Sequence, residues 1–101
     1  MGTRLELHQE LVDILGSNNV YFQAPESIKL EYPCVIYNLT GINARYADDV
    51  IYNKGRRYEV IFITKDPDSE LIDAFFTFPL VSFDRTYVYD NLHHFVYNIY
   101  Y

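Results

Sequence analysis

Residues 55–78, GRRYEVIFITKDPDSELIDAFFTF, hold two periods back to back. Residues 58–64, YEVIFIT, are almost wholly β-branched or aromatic, and both faces of an extended chain through them are apolar. A strand with two apolar faces needs cover on both sides, which predicts a central position in a sheet. Lys65, Asp66 and Pro67 then change the period. Asp66 suits a helix N-cap, and Pro67 suits the first helical position, where its missing N–H costs nothing. Asp68 and Glu70 add negative charge at the positive end of the helix dipole. Leu71, Ile72, Phe75 and Phe76 form one apolar stripe, and Pro79 ends it. The expected unit is a central strand feeding a helix that folds back on the sheet.

Working outward, Thr3 and Glu6 have capping-box spacing, and Leu7, Leu11, Val12, Ile14 and Leu15 make the stripe of a first helix that Gly16 terminates. Ser17, Asn18 and Asn19 form a turn before a short strand at Val20, Tyr21 and Phe22. Residues 23–32 read as irregular, and residues 34–39 as a strand that opens behind Pro33. Residues 40–54 carry Arg45, Tyr46, Asp48, Asp49, Tyr52 and Lys54 without helical periodicity. They read as a long hairpin loop or as an arm that orders on a partner. Residues 80–89 and 92–101 read as two strands joined at Asp90 and Asn91, both of which tolerate positive φ. That turn sets Tyr89 opposite Leu92, Tyr87 opposite His94 and Arg85 opposite Val96. The apolar pair Tyr100 and Tyr101 is expected to be tied into a sheet or covered by a neighbour. The whole is one domain, residues 1–101, of α+β class. Its mainly antiparallel sheet has four to five strands, with two helices packed on one face.

Composition bounds function. The 101 residues carry a net charge of −6, 14 acidic against 8 basic, which opposes any grip on nucleic-acid phosphates. Aromatic residues make up 18%, with 11 Tyr and no Trp, and a surplus of Tyr suits interfaces as well as cores. A single cysteine, Cys34, builds no disulfide framework, which favours an intracellular setting. No signal peptide and no run of 18 apolar residues is seen, so no membrane association is expected.

His93 and His94 are strand neighbours pointing to opposite faces, so they do not share a metal. His8 has no Cys or carboxylate cluster to join. The carboxylate groups Asp48–Asp49 and Asp66–Asp68–Glu70 lack a partner base, a nucleophile or a glycine-rich phosphate cradle. The chain is read as non-enzymatic, with no cofactor and no metal. Lys54, Arg56 and Arg57 form its one basic cluster. They read either as the solvated start of a strand or as a contact to an acidic surface such as Asp48 and Asp49 of an identical subunit, an arrangement that suits a head-to-tail ring.

Four stretches resemble the tail-terminator proteins of long-tailed bacteriophages and prophages: TRLELHQELVDILGSNNVYFQAPESIKLEYPCVIYNL, KGRRYEVIFITKDPDSELID, the segment Ser82-Phe83-Asp84-Arg85, and DNLHHFVYNIYY. The resemblance implies a hexameric ring in the virion, on the head-proximal end of the tail tube and assembled in the host cytoplasm. Its partners would be the tail-tube protein and a neck or head-completion protein, with DNA passing through the lumen without specific binding. Within that frame Arg45, Tyr46, Asp48, Asp49, Tyr52, Lys54, Arg56 and Arg57 are expected at a tube or subunit contact. Tyr97, Tyr100 and Tyr101 are expected at a subunit interface. Two alternatives stand beside it: another phage neck ring, of head-closure or tail-completion type, and a small acidic inhibitor of a nucleic-acid enzyme.

Overall fold

The computed structural model describes residues 3–24, 29–47 and 50–101, with side chains described outside 43–55. The elements are α1 (Arg4–Leu15), β1 (Val20–Phe22), β2 (Cys34–Ala47), β3 (Val50–Thr64), α2 (Leu71–Ala74) with a 3-10 turn at Phe75–Thr77, β4 (Val81–Tyr89) and β5 (Leu92–Tyr100). The strands form one sheet in the order β1-β2-β3-β5-β4, with β1 parallel to β2 and the other neighbours antiparallel. β3 is the middle strand, as its two apolar faces require. From β3 the chain crosses through α2 to the outer edge as β4, and β5 then fills the gap between them.

α1 is built as its sequence dictates. Thr3 Oγ1 accepts from the Glu6 amide at 3.3 Å. Gly16 takes a left-handed φ of 77° while its N–H donates to the Val12 carbonyl at 2.8 Å. Leu7, Leu11 and Leu15 are buried against the sheet.

α2 is shorter than its apolar stripe predicts and begins at Leu71, not at Pro67. Three side chains in succession bond to the amide two residues on. Thr64 Oγ1 accepts from Asp66, Asp66 Oδ1 from Asp68, and Ser69 Oγ from Leu71, at 3.1, 2.9 and 3.2 Å. Asp66 therefore shapes a turn rather than capping the helix, and Ser69 takes the amide of its first residue. The tightening at residues 75–77 buries Phe75 and leaves Phe76 exposed, so the expected four-residue stripe is split.

The core lies between the two helices and one face of the sheet. Register places Val35, Phe62 and Phe95 in one row, Tyr37, Val60 and Tyr97 in the next, and Leu39, Tyr58 and Ile99 in a third. Phe75 stacks on Tyr97 with centroids 5.1 Å apart and lies 5.3 Å from Phe62. Such aromatic pairs contribute about 0.5–1.5 kcal/mol each beyond area burial. The opposite face carries Cys34, Ile63 and His94, then Ile36, Ile61 and Val96. Both helices lie on the first face, so β3 has its helical cover on one side only.

Two buried phenols in the middle row tie the helices to the sheet. The Tyr97 hydroxyl donates to the Ile72 carbonyl of α2 at 2.7 Å, and burial, then Asp73, pushes its pKa up to about 12. The Tyr37 oxygen accepts from the Arg4 guanidinium at 3.3 Å and lies 2.7 Å from His8 Nδ1. The phenol oxygen keeps a second lone pair beside the one that meets Arg4, so its contact with Nδ1 serves either His8 tautomer, donating to a bare Nδ1 or accepting from Nδ1–H. Burial first, and the Arg4 charge second, lower the His8 pKa.

The lowered pKa has a definite sign. Well above pH 6.5, the ordinary imidazole value, His8 is neutral both folded and unfolded, so it makes no pH-dependent contribution. As pH falls below that value the unfolded chain takes a proton that the folded chain resists, and stability declines. Thermal melts of wild type and His8→Gln between pH 7.5 and 5 are expected to converge or cross as pH falls. A melting difference independent of pH would refute this.

The β4–β5 hairpin closes through Asp90 and Asn91 at φ 54° and 62°, the two positive values of a type I′ turn. Tyr89 pairs Leu92, Tyr87 pairs His94 and Arg85 pairs Val96, the register the turn residues predict. Asn91→Val puts a β-branched residue at positive φ and is expected to lower stability by about 1–2 kcal/mol in urea unfolding.

Candidate interaction surface

Residues 40–47 and 50–54 are strand rather than loop. β2 runs on to Ala47 and β3 starts at Val50, and from Asn43↔Gly55 to Ala47↔Val50 they pair only with one another, beyond the Arg56–Tyr101 backbone bonds that end the β3–β5 contact. The sequence hid this because Thr40, Gly41, Asn43, Asn53 and Gly55 break the apolar alternation of both strands. The result is a two-stranded arm on a five-stranded body. Arg45, Tyr46, Tyr52 and Lys54 occupy register positions on it. Their side chains, and all of Asp48 and Asp49, lie outside the described residues.

At the base of the arm the fold brings together residues far apart in sequence. Arg57 pairs Tyr100, and Tyr101 exchanges backbone hydrogen bonds with Arg56 at 2.9 and 3.4 Å. The Tyr100 amide donates to the Leu80 carbonyl at 2.9 Å. The basic cluster and the aromatic end of β5 thus form one surface, bordered by Ile42 and Leu80, which are 56% and 63% exposed. Both arginines are exposed. Arg57 also has a local task. Its Nε donates to Thr40 Oγ1 at 3.1 Å while that hydroxyl donates to the Arg57 carbonyl at 3.1 Å, fastening the register shift between Leu39 and Gly41.

Tyr97 does not belong to this surface. It is wholly buried in the chain's own core, so the expected interface role of its side chain is corrected by its packing. Tyr100 is partly exposed. Tyr101 turns inward, edge-on to Phe78 with centroids 6.2 Å apart. Burial, and then the carboxylates of Glu10 and Glu6 on α1, push its phenol up to about 12.

His94 stacks face to face on Tyr87 at 4.6 Å, with Nδ1 3.0 Å from the Leu92 carbonyl, while its neighbour His93 pairs Thr64 and Val88. Among the described residues no group of three His, Cys, Asp or Glu side chains is placed to hold a metal ion. Cys34 is buried, and burial raises its thiol to about 11, which removes thiolate reactivity near neutral pH. No helix among the described residues is long and apolar enough to cross a membrane.

Sequence reasoning missed the outer edge of β4. Every residue of β4 after Val81 is exposed, including Phe83, Tyr87, Val88 and Tyr89. The strand itself was legible, but its place at the sheet edge depends on the crossover through α2, which no local pattern encodes.

No protein-family model, curated protein or solved structure matches this chain.

Removing Tyr100 and Tyr101 deletes three backbone hydrogen bonds at the base of the arm. The truncated chain is expected to melt several degrees lower, and hydrogen exchange is expected to accelerate at Arg56 and through the arm. Unchanged exchange there would show that the arm is held by other contacts.

Proposed function

We propose that the chain is a structural tile of a phage tail, a tail terminator whose copies form a ring on the head-proximal end of the tail tube. The ring stops tube growth and offers a docking face to the neck. The reading rests on the resemblance of the four stretches quoted above, and the observation that best supports it is the arm. An isolated two-stranded hairpin is marginal in water. Here a ladder of only two strands, stepped by a register shift between Arg45 and Tyr46, runs on beyond the body that could stabilise it. Such an arm gains support when it lies on a neighbouring subunit, and a closed ring of heterologous contacts supplies a neighbour to every copy.

Charge fits the same reading. The exposed acidic residues Asp66, Asp68, Glu70 and Asp73 follow one another around the α2 turn, and Glu6, Glu10 and Asp13 lie on the outer side of α1. Arg56 and Arg57 sit at the arm base, while the cations Arg4, Lys29, Lys65 and Arg85 lie elsewhere on the described chain. The arm-base pair offers one copy a basic contact for the acidic α2 turn of the next, while the overall negative charge lets DNA pass without being held. The protein then performs no chemistry, and its work is done by association.

Mass photometry of the purified chain, alone and with the tail-tube protein of the same phage, tests this reading. A discrete closed oligomer, or its formation on tube ends, is expected. Arg56→Glu, which leaves the Arg57–Thr40 fastening intact, is expected to weaken assembly at least ~10-fold, with an unchanged melt. In tail assembly it should yield tubes of uncontrolled length on electron micrographs. A chain that stays monomeric with and without tube protein rejects the proposal. Binding to head or neck particles but never to tube ends transfers the reading to another neck ring.

A further inference from the structure

The β4 edge has a chemistry that names its occupant. The Tyr100 amide bonds the Leu80 carbonyl, and Tyr89 and Leu92 flank a two-residue turn. In an antiparallel ladder, hydrogen-bonded pairs alternate with non-bonded ones. On that rule Ser82, Arg85, Tyr87 and Tyr89 aim their backbone groups at β5. Val81, Phe83, Thr86 and Val88 then aim theirs outward. Among the described residues nothing pairs with that outer row. The register shift between Phe83 and Arg85 and the adjacent Asp84–Arg85 ion pair guard the first half of the edge. The second half, Thr86-Tyr87-Val88-Tyr89, has no charge, no proline and no bulge. Val88 and Tyr89 are 62% and 72% exposed. Water solvates such a row in the free chain, and the protein partner that matches its spacing is an extended strand.

The same chain carries a second unpaired edge of matching length. β1 covers β2 only at Val35, Ile36 and Tyr37, so among the described residues the outer side of β2 from Leu39 to Ala47 has no partner strand. Arg57 Nη2 donates to the Thr40 carbonyl at 3.4 Å, at the register shift between Leu39 and Gly41, and the run from Gly41 to Ala47 beyond it is open. Strand directions alternate along β2-β3-β5-β4. A second copy that repeats this order beside the first therefore presents its β2 antiparallel to β4, with the helices of both copies on the same face. Because β1 occupies the near part of β2, the second copy is displaced along the strands by roughly eight residues, ~26 Å at ~3.3 Å per residue. Two different edges meeting head to tail are the geometry that a closed ring requires.

We infer that β4 of one copy adds, antiparallel, to the outer edge of β2 at residues 41–47 of the next copy, so that the sheet runs on from subunit to subunit. This rests on the ring reading above and specifies the contact that closes it.

Val88→Pro tests the contact, because it deletes an outward N–H while leaving the β4–β5 ladder untouched. The variant is expected to keep its circular dichroism and melt while its oligomer dissociates, with the apparent dissociation constant raised about tenfold or more. Should the proline variant fail to fold, Val88→Lys, which keeps the N–H but charges the edge, is expected to give the same dissociation. Wild type that oligomerises while neither folded variant dissociates overturns the edge contact and leaves the ring reading standing. Wild type that stays monomeric with and without tube protein overturns both. Disulfide cross-linking separates the possible occupants of the edge. Val88→Cys or Thr86→Cys joining to Ile42→Cys on another copy supports the head-to-tail pairing. Val88→Cys joining only to itself overturns it in favour of β4 against β4, and cross-linking only to tube protein overturns the second copy as occupant.

Discussion

The fold depends on two tyrosine hydroxyls set in one row of the sheet, with Val60 between them. Each aromatic ring fills the core, and each oxygen reaches a different helix. Tyr97 holds the Ile72 carbonyl of α2, and Tyr37 sits between Arg4 and His8 of α1. α2 has only four residues and no buried side chain of its own, so burial alone does not position it. A directed bond from the sheet does. Replacing either ring by an aliphatic residue would conserve hydrophobicity and lose the helix orientation, because area burial carries no direction and a hydrogen bond does. The abundance of tyrosine in this chain is therefore partly a matter of internal architecture, since Tyr37, Tyr58 and Tyr97 are all buried.

How far the fold was legible depended on whether local chemistry or chain topology decided each feature. Thr3 and Gly16 bound α1 because caps act within four residues. Asp90 and Asn91 set the register of β4 on β5 because a two-residue turn leaves one register to choose. The start of α2 was misplaced because Asp66 suits a cap and a turn equally. What decided was Thr64 two residues before it and Ser69 three after, a run of side-chain turns that consumes the would-be first turn of helix. The arm was hidden by its broken alternation, and the edge position of β4 by a crossover that only the assembled sheet reveals. Within the candidate surface, Arg56, Arg57, Tyr100 and Tyr101 were legible as separate features. Their meeting at one end of the sheet was not, because it is set by β3–β5 register across more than forty residues of chain.

The molecule divides its labour along β3. The half from Tyr58 onward lies in the core, flanked by β2 and β5 and covered on one face by both helices. From Val50 to Gly55, β3 pairs with β2 alone. Strand partners on both sides and helical cover place the cooperative stability of β3 in the first half. Thr40 and Arg57 stand where the two regimes meet, and their mutual hydrogen bonds hold the bulge that redirects β2 out of the body. A bulge at this point increases local twist.

The same division accounts for part of the exposed apolar surface. Leu80, Phe83, Tyr87, Val88 and Tyr89 lie on or beside β4, and Ile42 lies at the root of the arm, all on backbone with one partner strand, while Leu5 on α1, Phe76 on the 3-10 turn and Tyr100 on β5 are exposed for other reasons. In a self-sufficient domain of this size selection would blunt such positions with lysine, proline or a shorter strand. This chain guards one half of β4, through Asp84, Arg85 and the bulge between them, and leaves the other half bare. In the edge contact we propose, a protected half beside an unprotected one would fix the register: the guard would stop a partner strand from sliding past residue 84, and the bare segment would be what remains for it to pair. The specificity of the contact and the risk of aggregation have the same physical source, an unpaired row of backbone donors and acceptors. What distinguishes them is how much of that row the neighbouring charges leave open.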